Sequence, residues 1–287
     1  MISDLPPPDW PNRSVSRIVP CAPHRWHVQV LGHGPDILLL HGAGASTHSW
    51  AALIPYLSAD HRTIAIDLPG HGWTRSPRGR ARLSDVASDI ARLCEQEGWT
   101  PRTIVGHSAG GAVALEMARQ GRLSPDQLVV VNGALENFRG AAGWLFPIMA
   151  KVLALNPLTG LLISQGSRSV AQVRSILASA GTELDEDSLA RYAALIARRA
   201  HVDGTLAMMA QWKLDDLNRA LPRIPTPALF IHGANDGAVP PRVAEHASQA
   251  MPHAQLVMLP GVGHLAHEEA PQVVFDVMQT AFHPLHP

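Results

Sequence analysis

Residues 105–111 read Val105-Gly106-His107-Ser108-Ala109-Gly110-Gly111, a serine set among small residues. The apolar run Thr103–Val105 precedes it and the helix-like run Ala112–Arg119 follows it. A strand that enters G-x-S-x-G and leaves as a helix makes a tight turn. Its glycines give the backbone room, and the serine oxygen is held up at the carboxyl edge of a sheet. The following helix aims its free N–H groups at the same spot. Taken alone, the pattern also fits a plain strand-to-helix turn, so partners elsewhere in the chain must decide.

On either side of this stretch, short apolar runs recur at His-, Gly- or Pro-marked ends. Arg25–Leu31 alternates polar and apolar residues, as a half-buried strand does, and Gly32–Pro35 reads as a turn. Ile37–Leu40, Thr63–Asp67, Gln127–Val131, Ala228–His232 and Gln255–Leu259 read as buried strands. Between most of them lie helical patterns. In Leu83–Glu97, Ser84 is the expected N-cap and Gly98 the expected stop. Such alternation predicts an α/β fold with a mostly parallel central sheet flanked by helices. From Ala134 to Leu221 it breaks, with no convincing strand and helical patterns near Ala141–Leu155, Ser169–Ala180, Asp187–Arg199 and Asp203–Leu214. The expected division is a proline-rich extended arm over 1–14, a core over 15–133 and 222–287, and a helical cap, or lid, over 134–221.

A serine hydroxyl is a poor nucleophile until a base takes its proton and an acid steadies that base. The last strand pattern runs into Pro260-Gly261-Val262-Gly263-His264, which makes His264 the expected base. His267 is its rival. The His264-x-x-His267-Glu268 run is not a zincin pattern and starts in a glycine turn, so His267 reads as a surface or lid-facing residue. The preceding strand runs into Gly233-Ala234-Asn235-Asp236-Gly237, which puts Asp236 at the matching edge, although Asn-Asp-Gly is also a common turn. Ser108, Asp236 and His264 follow one another as nucleophile, acid and base. Oxyanion donors are expected from the amides of Ala109 and of Ala43, in the HGAGAS loop after Ile37–Leu40. His41 is expected to support that loop by a hydrogen bond.

Composition narrows the function further. Apolar residues make up 46% and charged residues 16%, enough for a sizeable core. A formal net charge of −1 gives no nucleic-acid signal. Two cysteines without CxxC spacing read as reduced thiols in a cytoplasmic protein, and the MISDLPPPDWP start has no signal-peptide pattern. Trp144–Ser164 is long and apolar, but Pro147, Lys151, Asn156, Pro157 and Gly160 interrupt it. Two short helices fit it better than a membrane span, and peripheral contact with a membrane stays open. The basic run Arg75–Arg82 reads as a solvated loop, with an anionic partner as the alternative. Trp50, Trp73, Trp144 and Trp212 line a pocket or simply pack, and Met208-Met209 faces the core. No zinc, phosphate-loop or dinucleotide fingerprint is present, and the triad chemistry needs no metal or cofactor.

The stretches HGAGAS, DLPGHG, GHSAGG, GANDGAVPP and GVGHLAHEEAP together resemble the α/β-hydrolase superfamily over about Arg25–Phe282. The resemblance implies the α/β-hydrolase fold, with a helical cap inserted after its sixth strand and a Ser-Asp-His triad. Outside these motifs, DWPNR, RWHVQVLG, HGAGASTHSW, NGALENF, LALNPL and HVDGTLAMMAQWKL resemble the magnesium chelatase accessory proteins (BchO type) of bacteriochlorophyll synthesis. That second resemblance implies a place near magnesium insertion into protoporphyrin IX. An active serine hydrolase on an apolar ester under the cap is one expectation. A catalytically silent binder of a tetrapyrrole or of chelatase subunits, at the photosynthetic membrane or not, is the other. A carbon–carbon bond hydrolase of aromatic breakdown shares the triad and cap, and the cap stretches argue against it.

Overall fold

The computed structural model describes residues 5–136 and 169–282, without the side chains of 281 and 282. Eight strands form one sheet: β1 (Ser16–Cys21), β2 (His24–Leu31), β3 (Asp36–Leu40), β4 (Arg62–Ile66), β5 (Pro101–His107), β6 (Gln127–Val131), β7 (Ala228–Gly233) and β8 (Ala254–Leu259). Their order is β1-β2-β4-β3-β5-β6-β7-β8. The β1–β2 and β2–β4 pairs are antiparallel. Every other pair is parallel.

Two apolar layers sandwich the sheet because side chains alternate across it. Leu38, Leu40, Ile64 and Ile66 face one layer, which α2 (Leu83–Glu97) and α3 (Ala109–Gln120) cover with residues such as Ile90 and Val113. Ile37, Leu39 and Ala65 face the other, with Leu57 of α1 (Ile54–Leu57) and Val274 and Met278 of the C-terminal helix Pro271–Phe282. Between β6 and β7 the described chain is helical: α4 (Val170–Ser179), α5 (Glu186–Ile196), α6 (Arg199–Gln211) and α7 (Asp215–Ala220). After β7 come α8 (Arg242–Ala250) and, beyond β8, α9 (Ala266–Glu269) and α10 (Pro271–Phe282).

Several expectations are corrected. Strand β1 has no counterpart in the sequence reading. Over its described residues, 5–14, the N-terminal arm is not extended: Trp10 is buried edge-on to Trp73, and the chain turns through a short 3-10 helix at Arg13–Val15. Helix α2 begins at Leu83, so Ser84 lies inside it rather than capping it, whereas Gly98 closes it with φ +66° as expected. Arg80 of the basic run is not merely solvated. It clamps the buried Asp89 with two bonds of 2.8 Å, beside His24 at 2.9 Å. Trp50 and Trp73 pack in the interior, and Met208 reaches the core. Helix Ala141–Leu155, Trp144 and the Trp144–Ser164 segment lie outside the described residues. Among those described, no helix is long and apolar enough to cross a membrane.

Candidate active site

Strand β5 delivers Ser108 at the carboxyl edge of the sheet, immediately before α3. The turn is tight because backbone passes backbone. A Cβ on Gly106 would sit 2.2 Å from Gly110 O, and one on Gly110 would sit 2.0 Å from Leu40 O. Ser108 itself takes φ 50° and ψ −115°, a conformation that costs a non-glycine residue on the order of 1–3 kcal/mol. Its N–H is tied to Val131 O at 3.0 Å and its carbonyl accepts from Gly111 and Ala134.

Three loops from three strands converge here. His264 Nε2 lies 3.1 Å from Ser108 Oγ, and His264 Nδ1 lies 2.8 Å from Asp236 Oδ2. With the proton on Nδ1 donated to Asp236, Nε2 is left to accept the serine proton. The other carboxylate oxygen, Oδ1, accepts the amides of Ala238 and Val239, each at 2.8 Å. Burial works against the charge on Asp236. The His264 bond and charge, the Val239 amide and Asn132 outweigh it and hold the carboxyl below its ordinary range. Asn132 was missed in the sequence, where an asparagine after an apolar run signals nothing but a turn. It donates to Asp236 Oδ2 at 2.7 Å and to Gly263 O at 3.1 Å. His107, the variable residue of the serine motif, donates from Nε2 to the His264 carbonyl at 2.9 Å and so anchors the His264 loop.

Ala43 lines the cavity that reaches Ser108, and Ala109 follows Ser108 directly in the chain. Ala109 opens α3, where amides have no intrahelical acceptor. The Ala43 amide belongs to the peptide unit whose carbonyl, Gly42 O, is held by the Ala45 N–H at 3.2 Å and by His41 Nδ1 at 2.7 Å. A trans peptide points its N–H opposite to its C=O, so the Ala43 amide faces away from these donors. His41 supports the loop as expected, its Nε2 accepting from Leu68 N–H at 2.9 Å.

His267 departs from expectation. It is fully buried, not lid-facing, with Nε2 2.7 Å from Ser49 Oγ and its ring 4.4 Å from that of His107. Burial, with the nearby His264, pushes its pKa down to about 3, so it stays neutral. Its neighbour Glu268 accepts from Ser49 Oγ at 2.5 Å and from Tyr192 of α5 at 2.6 Å, and burial pushes its carboxyl up to about 7.

The helical region is bonded to the loops that carry Asp236 and His264. Ala180 O accepts the amides of Gly237 at 3.1 Å and His264 at 3.3 Å. Thr182 Oγ1 accepts the Leu265 amide at 3.1 Å and donates to Glu269 at 2.8 Å. Below α4–α6 lies a cavity of about 340 Å³ that reaches Ser108 and His264; Val173, Leu177, Ile196 and Leu206 supply apolar wall. That size lies at the low end for small-molecule sites.

A serine, a histidine and a carboxylate in hydrogen-bonded series, beside two amides and an apolar cavity, make an arrangement able to carry acyl transfer. The chain belongs to the α/β-hydrolase fold family, whose model matches residues 35–271. It is 44% identical over 267 residues to the magnesium-chelatase 30 kDa subunit of Rhodobacter capsulatus, covering 92% of this chain and 93% of that one. It is 28% identical over 261 residues to the pimeloyl-[acyl-carrier protein] methyl ester esterase of Xanthomonas oryzae pv. oryzae, covering 83% and 91%. Among solved structures, a thermophilic esterase from Thermogutta terrifontis matches with a TM-score of 0.74 at 23% identity, over 95% of this chain and 99% of that one. This last likeness carries the fold alone.

Proposed function

We propose that the protein is a serine hydrolase that cleaves an apolar ester or related acyl compound beneath its helical cap, as an accessory protein of bacteriochlorophyll synthesis near magnesium insertion. One observation carries the catalytic part: the unbroken series Ser108 Oγ, His264, Asp236, at 3.1 and 2.8 Å. Each member has the partner that its role requires. The biosynthetic part rests on the likeness to the chelatase 30 kDa subunit.

The geometry supports the following steps. Ser108 Oγ attacks the substrate carbonyl carbon as its proton passes to His264 Nε2. The imidazolium is steadied by the ionised Asp236, and the carbonyl electron pair moves onto oxygen, where the Ala43 and Ala109 amides receive it. Collapse expels the alcohol, which takes the proton from His264, and leaves an acyl group on Ser108. Water then attacks that acyl carbon, His264 again taking and returning one proton, and the acid leaves. The helix dipole of α3 adds to the stabilisation of the oxyanion.

Labelling with a fluorophosphonate, the adduct located by mass spectrometry, tests this reading. Rapid modification of Ser108, lost in Ser108→Ala, is expected. Folded wild-type protein that stays unlabelled and cleaves no p-nitrophenyl ester would sink it. The second reading, a silent binder of a tetrapyrrole or of chelatase, is favoured by the name of the 44%-identical relative. It predicts that protoporphyrin IX or the chelatase subunits bind equally well to wild type and Ser108→Ala.

A further inference from the structure

His201 belongs to α6 of the cap, far in sequence from every residue of the candidate machinery, yet it borders the same cavity as Ser108, Ala43 and His264. Its ring is buried between two backbone groups of the core. The Gly72 N–H donates to Nδ1 at 3.0 Å, and Nε2 lies 3.1 Å from Gly44 O. One partner is a donor and the other an acceptor, so only the neutral ring with its proton on Nε2 satisfies both. Burial, with His41 nearby, pushes the His201 pKa down to about 4, which keeps that form in place at working pH.

The ring is placed accurately because α6 lies backbone against backbone on the core. A Cβ on Gly204 would sit 2.0 Å from Gly70 O. The helix is thus seated one turn from His201, and Thr205 Oγ1 caps the His201 carbonyl at 2.9 Å.

The Gly44 carbonyl is not an arbitrary acceptor. It shares a peptide unit with the Ala45 N–H, which donates to Gly42 O at 3.2 Å. Gly42 O in turn shares a peptide unit with the Ala43 N–H, the candidate oxyanion donor. Two successive planar units therefore link the His201 ring to the direction of the Ala43 amide. Hydrogen bonds in series also polarise one another, so a donor on Gly44 O strengthens the next amide along.

We propose that His201 is a positioning residue of the cap: its Nε2–H fixes the Gly44 carbonyl and, through the 44–45 and 42–43 peptide units, aims the Ala43 N–H at the oxyanion. The cap thereby completes the site as well as covering it. This inference rests on the serine hydrolase reading for its catalytic consequence.

The test compares wild type, His201→Leu and His201→Gln with p-nitrophenyl esters of short-chain acids. Leucine fills the space without a donor, whereas the glutamine amide can reach the place of the ring Nε2. His201→Leu is expected to lose about 10–100-fold in kcat with KM within a factor of about two. His201→Gln is expected to recover most of that loss. An equal fall in both variants, or a rise in KM with kcat intact, would overturn the proposal, because a merely structural histidine predicts either. If wild type neither cleaves esters nor takes the fluorophosphonate, the hydrolase reading fails instead. Amide hydrogen exchange at Ala45 then decides on His201: it should quicken roughly tenfold in the leucine variant and return in the glutamine variant. Unchanged exchange overturns the proposal.

Discussion

The side-chain amide of Asn132 meets Asp236 at 2.7 Å, on the same carboxylate oxygen that faces His264 at 2.8 Å. Asn132 follows β6 with φ 48°, a conformation asparagine tolerates better than most residues. Backbone and side chain serve one end: the bend brings the amide under Asp236, and its second hydrogen reaches Gly263 O beside His264.

Replacing Asn132 by glycine keeps the bend and removes the bond. The substitution should lower kcat about tenfold, the scale of one hydrogen bond to a charged group. Without that bond the carboxyl of Asp236 rises toward its ordinary range. Activity should therefore fall off at a higher pH on the acidic side than in wild type. A kcat/KM profile against pH checks both; identical profiles would assign Asn132 to the fold alone.

Asp236→Asn is nearly isosteric, yet it should cost about 10³–10⁴-fold in kcat with little change in KM. The Ala238 and Val239 amides require an acceptor at Oδ1. The new NH₂ must then face His264 Nδ1, which drives the ring proton to Nε2 and leaves nothing to take the serine proton. Steady-state hydrolysis of a short-chain ester measures the loss, and a fall below tenfold would argue against His264 as base.

The backbone at Ser108 carries strain that glycine would not. Ser108→Gly should stabilise the fold by about 1 kcal/mol and Ser108→Ala should not, since alanine keeps the Cβ at φ 50°. Urea denaturation of the two variants separates them. Equal stabilities would mean that the turn relaxes without cost.

Glu268 makes stability depend on pH. Its folded-state pKa of about 7 lies above that of an unfolded glutamate, so the folded state holds a proton the unfolded chain has already released. Its contribution is therefore complete at acid pH and is lost as pH rises from the ordinary glutamate range through about 7. Glu268→Gln, which cannot ionise, should gain on wild type by up to about 3 kcal/mol at pH 8 and by little at pH 4. Thermal or urea unfolding at the two pH values shows the difference; a gain independent of pH would contradict a buried, protonated carboxyl.

Much of the site was legible because its chemistry sits in short contiguous motifs. GHSAGG, GANDG and GVGH each end a strand pattern, and in a parallel sheet strand ends gather at one edge, so chain order alone brings Ser108, Asp236 and His264 together. His41 was legible for the same reason, being the first residue past its strand. His267 was not. Three residues from His264, it reads as a surface or lid-facing residue, but α9 turns it inward onto Ser49, a residue 218 positions away. Strand β1 was hidden because its pattern of exposure mixes Arg17 and Pro20 with Val19 and Cys21, and its pairing with β2 is a tertiary matter.

The alternation of strands and helices, the sheet edge at which the candidate side chains gather, and the family are thus all written in the sequence. Each is encoded locally, in hydrophobic period and turn chemistry, and needs no knowledge of distant partners. Which groups orient those side chains is set by tertiary contacts. Asn132 under Asp236, Ala180 and Thr182 against the His264 loop, and His201 on Gly44 are contacts between segments remote in sequence. Hydrogen-bond direction and burial at such contacts depend on how helices seat on the sheet, which is set by close backbone approaches such as Gly204 on Gly70.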